Sequence, residues 1–226
     1  MFFMDRSDAG RQLAHALQHL AGAANLTVLG IPRGGVIVAA EVARALVAPL
    51  DVCTARKLGA PKQPELAMGA VAADGTLYLN DFIVAELDLP PQYIACLRDA
   101  QVREIKRREG IYRQGRPACP LEGHTVIVVD DGIATGATTI AALRAVRKAR
   151  PSQLVLAVPV GPHETVSLLE GECDECLLLV APEPFHAVGN FYDDFGQVSD
   201  EQVIAALSSA ARRSAHLSGI SGRGTA

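Results

Sequence analysis

Apolar residues follow two rhythms along this chain. In the first, Ala9, Leu13, Ala16, Leu17 and Leu20 recur at helical spacing, a stripe opened by Asp5 or Ser7 and closed at Gly22, with His15 and His19 facing solvent. In the second, the runs LTVLG (26–30), LDVCTA (50–55), VIVV (126–129), QLVLAVPV (153–160) and CLLLV (176–180) are short and continuous, with many β-branched residues. Such runs suit parallel strands covered on both faces. Helical spacing returns between and after them, over about 36–47, 91–112, 137–146, 162–170 and 199–212. Segments 68–72 and 76–79 flank Asp74 and Gly75, an Asp-Gly hairpin signal. The alternation predicts an α/β fold: a doubly wound, mainly parallel sheet with right-handed crossovers and a small hood or hairpin appendage. One domain is expected over 1–216, followed by a disordered tail over 217–226.

Composition narrows the setting. The 226 residues are 49% hydrophobic, ample for a sizeable core, and a net charge of −4 offers no general attraction to nucleic acid or an anionic membrane. No apolar run approaches membrane-spanning length, and the opening MFFM is too short for a signal sequence. Cys53, Cys96, Cys119, Cys173 and Cys176 are scattered and odd in number, which predicts reduced thiols in a soluble cytoplasmic protein. The Cys173-x-x-Cys176 pair lacks the second pair or nearby His that a zinc site needs.

The chemistry concentrates at strand ends, where open α/β sheets bind ligands. After the run 126–129 come Asp130 and Asp131, then Gly132, Ile133, Ala134, Thr135, Gly136, Ala137 and Thr138, which turn the chain into a helix. Small side chains let backbone N–H groups approach an anion, the new helix presents unpaired N–H groups, and Thr135 and Thr138 add hydroxyls. The loop is neither G-x-x-x-x-G-K-[ST] nor G-x-G-x-x-G. Carboxylates accept hydrogen bonds from vicinal sugar hydroxyls, so a ribose 5-phosphate fits both halves. At the end of the run 26–30, Arg33 stands between Pro32 and the pair Gly34, Gly35, where one cation and close backbone approach suit a pyrophosphate. Beyond 50–55, Arg56, Lys57 and Lys62 lie among glycines and prolines in a segment expected to be a mobile loop, with Lys57 the preferred candidate.

Two further features keep alternative readings. Phe185, Phe191, Tyr192 and Phe195 cluster in a chain with 4% aromatics, either to stack on a planar ligand or to pin the C-terminal segment to the core. Between 98 and 116, Arg98, Arg103, Lys106, Arg107, Arg108, Arg113 and Arg116 outnumber Asp99, Glu104 and Glu109, either as a solvated helix face or as a steering surface for an acidic ligand.

The block VDDGIATGAT (129–138) resembles the 5-phosphoribosyl 1-pyrophosphate (PRPP) signature of type I phosphoribosyltransferases. GIPRGG (30–35), RKLGAP (56–61), YRQGRP (112–117) and FYDDF (191–195) are similar to a stand-alone bacterial subgroup of that family. The resemblance implies displacement at the anomeric carbon of PRPP by a nitrogen nucleophile, with pyrophosphate leaving. Arg33, Lys57 and Asp131 are then the candidate catalytic residues, with Asp131 the better guess for a general base. Arg33, Gly34, Arg56, Lys57 and the run from Asp130 to Thr138 bind substrate. Mg²⁺ is held by Asp130 and Asp131, mostly through water and PRPP. A non-proline cis peptide is expected near Ile31, Pro32, Arg33 or Gly34. The acceptor is expected to be a planar heterocycle, its identity open, and the assembly a homodimer. The alternative is a regulatory protein that binds PRPP or a nucleotide without turnover; Arg33 and Lys57 argue against it, since a monophosphate has no pyrophosphate to neutralise. A phosphoester hydrolase lacks the second acidic or metal cluster it needs.

Overall fold

The continuous apolar runs assemble into one five-stranded parallel sheet. The computed structural model describes residues 3–61 and 63–221. In chain order the elements are α1 (Arg6–Ala16), a 3-10 turn (Gln18–Leu20), β1 (Leu26–Gly30), α2 (Gly34–Ala45), β2 (Leu50–Val52), β3 (Ala55–Ala60), β4 (Gln63–Ala72) and β5 (Leu77–Leu79). There follow α3 (Asp81–Leu87), α4 (Pro91–Arg113), β6 (Thr125–Val129), α5 (Ala137–Lys148), β7 (Gln153–Val160), α6 (His163–Glu170), β8 (Glu175–Val180), a second 3-10 turn (Val188–Phe191) and α7 (Asp200–Ser221).

The sheet order is β2-β1-β6-β7-β8, with Gly30 opposite Val52 on one side and Val129 on the other. From β1 the chain moves outward to β2, and from β6 it moves the other way to β7. The topology therefore reverses between β1 and β6, and their carboxyl ends open the crevice where such sheets hold ligands. Burial alternates as the pleat requires. Val28, Ile127, Val129, Val155 and Ala157 pack with residues of α1, α2 and α7; Leu29, Val126, Val128, Leu154, Leu156 and Val158 pack with α5 on the opposite face.

The segment expected to be a mobile loop is instead two strands of a separate antiparallel sheet, β3-β4-β5. Arg56 lies opposite Val71 and Lys57 opposite Ala70, with an irregularity around Gly59. The reason is non-local burial: Leu58, Met68 and Val71 are buried with Ile105 of α4 in their own small core, and this outweighs the local Gly and Pro punctuation. The Asp-Gly turn forms as expected, with the Thr76 N–H donating to Asp74 Oδ1 at 2.9 Å and Gly75 at φ +86°. Helix α3 was not anticipated; Asn80 caps it by accepting from the Ile83 N–H at 3.2 Å.

Several boundaries move. Asp5 caps α1 by accepting the Asp8 N–H at 2.7 Å, but the helix ends at Ala16 and the 3-10 turn buries Leu20 before Gly22 is reached. Ser199 and Gln202 cap α7 reciprocally, and that helix continues past Arg212 to Ser221. The tail expected over 217–226 overlaps its end, and 222–226 lie outside the described residues. The bases of α4 are largely consumed within the fold. Arg56, Arg107 and Arg108 converge on Glu104, Arg113 lies between Asp51 at 2.9 Å and Glu109 at 2.8 Å, and Arg116 donates to the Leu207 carbonyl. No helix among the described residues is long and apolar enough to cross a membrane.

Candidate active site

The loops after β1 and β6 meet at the switch point with almost no space between them. The Ile31 N–H donates to the Val129 carbonyl at 2.8 Å, and the peptide between Pro32 and Arg33 is cis. A Cβ on Gly35 would lie 2.8 Å from both Asp130 Cα and the Val129 carbonyl oxygen. A Cβ on Gly34 would overlap the Asp131 carboxylate and sit 2.6 Å from Arg6 Nε. These two glycines let the first loop lie directly against the acidic pair.

The two carboxylates are half-buried and differ in their partners. Asp130 Oδ1 accepts the Asp131 N–H at 2.8 Å; burial, and then the neighbouring Asp131 charge, push the Asp130 carboxyl well above the ordinary range. Asp131 Oδ2 accepts from Arg6 Nε at 2.7 Å, and its main-chain oxygen accepts from the Tyr192 hydroxyl. Arg6 also donates to the Gly196 carbonyl at 2.8 Å and lies over the Phe195 ring at 3.8 Å.

The loop that follows is tied down at its base and open at its crest. The Ile133 N–H donates to the Val160 carbonyl at 2.9 Å while its side chain, 2% exposed, enters the core. Ile133 is therefore an anchor, its side chain in the core and its N–H engaged within the fold, and it does not serve as the substrate contact expected of it. The Thr165 hydroxyl donates to the Ala134 carbonyl at 2.8 Å, and Ala134 and Thr135 are exposed. Gly136, at φ +74°, precedes α5, so Ala137 and the half-buried Thr138 occupy the first helical turn with its unpaired N–H groups.

The other expected residues are distributed more widely. Arg33 lies at the head of α2, 3.9 Å from Asp200, which also accepts from the Tyr112 hydroxyl at 2.8 Å. Arg56 pairs with Glu104 of α4 at 3.5 Å, and Lys57 follows it on β3 with an exposed side chain. Lys62 lies outside the described residues. The aromatic cluster pins the C-terminal segment instead of offering a stacking face. Phe191 and Tyr192 are buried; Tyr192 packs against Phe3 at 5.3 Å and Phe195 at 4.9 Å, and Phe191 stacks on Phe185 at 5.5 Å. Arg6 was not found from the sequence, because its partner is 125 positions away. One signal was available: a cation in the first turn of a helix opposes the macrodipole and needs another reason to be there.

With this geometry in hand, the comparisons with known proteins are specific. The family described as phosphoribosyl transferase domain matches residues 6–195. Two Mycobacterium tuberculosis proteins, from strains CDC 1551 and H37Rv and both named as candidate phosphoribosyl transferases, are 49% identical over 210 residues. The match covers 93% of this chain and 47% of each relative, so the chain spans about half the length of these relatives. The crystal structure of TT1426 from Thermus thermophilus superposes with a TM-score of 0.78 at 44% identity, covering 92% of this chain and 98% of that one. The matched stretch runs from the arginine that holds Asp131 to the ring beneath that arginine, and the chain accordingly belongs to the phosphoribosyl transferase domain family.

Proposed function

We propose that the chain transfers the phosphoribosyl group of PRPP to a nitrogen acceptor in the cytoplasm, with release of pyrophosphate. The observation that carries this reading is the junction of two anion-suited loops, 31–35 and 132–138, with two carboxylates between them. The 5-phosphate binds the N–H groups at the crest of the loop, from Ala134 to Thr138, with the Thr135 and Thr138 hydroxyls, and Asp130 and Asp131 accept from the ribose hydroxyls. Arg33 and the backbone at Gly34 receive the pyrophosphate, with Lys57 and Arg56 supplied by the β3–β4 hairpin. In the reaction the bond from the anomeric carbon to pyrophosphate breaks, the bond to the acceptor nitrogen forms, and that nitrogen gives up a proton, for which Asp131 is the candidate base. Catalysis of this kind is mostly positioning and stabilisation of charge.

The donor set suits magnesium. Asp130 and Asp131 offer adjacent carboxylates, and no cluster of three or more His, Cys, Asp or Glu among the described residues could form an all-protein cage. An ion held by this pair would complete its shell with water and phosphate oxygens, as Mg²⁺ prefers. When bound it neutralises charge on the leaving pyrophosphate.

For the acceptor we propose a planar nitrogen heterocycle that does not depend on stacking against Phe191 or Tyr192, since both rings are buried. Homodimers are the commonest closed assembly and are proposed here, with neither nucleic acid nor membrane as a partner. Calorimetry tests the first step: PRPP with Mg²⁺ raises thermal stability by about 2.7 kcal/mol at a hundredfold excess over its dissociation constant. No shift with PRPP or any ribonucleoside monophosphate would sink the reading. A screen of free bases, carboxylated heterocycles and simple amines, following pyrophosphate release, tests the acceptor class. Release with simple amines or water but with no heterocycle would overturn that part alone.

A further inference from the structure

We infer that Arg6 is a positioning residue for Asp131, and that the C-terminal segment 192–196 exists at this site to lock that arginine in place. The inference rests on the proposed role of Asp131 in holding ribose. Its basis is a set of convergent contacts on two small groups. Arg6 Nε meets Asp131 Oδ2 at 2.7 Å, Arg6 Nη1 meets the Gly196 carbonyl at 2.8 Å, and the guanidinium plane lies 3.8 Å over the Phe195 ring. Phe195 is itself seated against Tyr192 and Gly189, where a glycine Cβ would stand 2.9 Å from the ring. Tyr192 completes the enclosure by donating its hydroxyl to the Asp131 carbonyl.

Both ends of the aspartate are therefore held from outside the signature loop, the side chain by Arg6 and the backbone by Tyr192. The pair is well enclosed, with the Arg6 and Asp131 side chains 12% and 17% exposed, so the contact is not the weak, solvent-screened kind. Asp130 accepts the Asp131 N–H and has no such guanidinium clamp among the described residues. The arginine also solves an electrostatic problem. Two adjacent carboxylates repel the phosphates of PRPP; pairing one with a guanidinium halves that charge while a second carboxylate oxygen stays free to accept from a hydroxyl. A planar fork that donates in two directions and stacks on a ring meets all three needs, which lysine cannot.

A competing assignment is that Arg6 reads the acceptor directly, since it also lines a polar cavity of about 200 Å³ with Asp5, Asp194 and Gln202. Calorimetry on the full chain with PRPP and Mg²⁺, ribose 5-phosphate and pyrophosphate separates the two. For Arg6→Gln the expected result is PRPP and ribose 5-phosphate binding weakened about tenfold, about 1.4 kcal/mol, with pyrophosphate, which makes no hydroxyl contact to Asp131, weakened less. Arg6→Lys recovers part of the loss, which guards against a variant that merely folds badly. The double variant Arg6→Gln with Asp131→Asn binds no worse than Asp131→Asn alone, because one acts through the other. Additive losses, or a change in acceptor KM with PRPP binding intact, would overturn the positioning role. Wild-type protein that binds PRPP alongside an Arg6→Gln variant that binds it equally well would do the same. Wild-type protein that binds no PRPP removes the proposed function and this inference together, so the two failures are distinguishable.

Discussion

Gly35→Ala and Gly110→Ala make the same chemical change and are expected to move stability in opposite directions. Both glycines sit in helices, where alanine is favoured intrinsically by about 0.5–1 kcal/mol. At Gly110, exposed on α4, an added Cβ meets nothing within 4 Å, so the intrinsic gain stands alone. At Gly35 it meets Asp130 Cα and the Val129 carbonyl oxygen at 2.8 Å, and Asp130 Oδ1 at 3.0 Å. Two of those neighbours are backbone of the central strand and its exit, which cannot rotate aside as a flexible side chain would. Overpacking costs about 1–3 kcal/mol, leaving a net destabilisation of about 1–2 kcal/mol after the helix gain. For a chain of this length that lowers Tm by about 2–8 °C, against a rise of about 1–4 °C for Gly110→Ala. Thermal unfolding followed by circular dichroism reads both, and PRPP affinity falls only in the Gly35 variant. A Gly35→Ala protein that melts at or above the wild-type temperature would refute the claim that the two loops are in van der Waals contact.

Asp130→Asn is expected to stabilise the folded protein at neutral pH while weakening ribose binding. The folded carboxyl is raised by burial and by Asp131, so its stabilising contribution is full below the unfolded value of about 3.9 and is lost as pH rises through the folded value. The Tm difference between variant and wild type should therefore shrink toward pH 3; a difference independent of pH would contradict it. Burial, with Glu109 and Asp51 nearby, pushes the Cys53 thiol up to about 12, and burial with Asp51 pushes Cys119 up to about 11. Iodoacetamide at pH 8 should mark exposed Cys96 first and spare those two in the native protein, and equal labelling by mass spectrometry would count against it. Lys57→Ala should lower turnover far more than monophosphate affinity, since its proposed partner is the leaving pyrophosphate. Equal losses in both would remove that role.

What the sequence showed and what it hid divide along the distance over which each feature is determined. The sheet strands were legible because Val126 to Val129 and its counterparts carry their own burial pattern, and Asp130 to Thr138 because a strand, an acidic pair and a small-residue turn are contiguous. The β3–β4 hairpin was misread because its glycines and prolines are local signals, whereas the pairing of Arg56 with Val71 and the burial of Leu58 against α4 are not. Arg113 looked like one of many surface bases until the fold placed Asp51 of β2 beside it. The rings of 185–195 could be recognised as a cluster, but their partners, Phe3 and Arg6, lie at the far end of the chain.

That last separation also orders events during synthesis. Arg6 emerges from the ribosome before its two hydrogen-bonding partners, which follow 125 and 190 positions later. A nascent chain long enough to have paired β6 with β7 already holds the phosphate-suited loop but lacks Tyr192, Phe195 and Gly196. At that stage the first helix carries a cation with no enclosure, and the acidic pair stands open. Because domains fold largely as units once their distant contacts can close, the enclosure of Arg6 and Asp131 should form as a late step, after the strand order is complete.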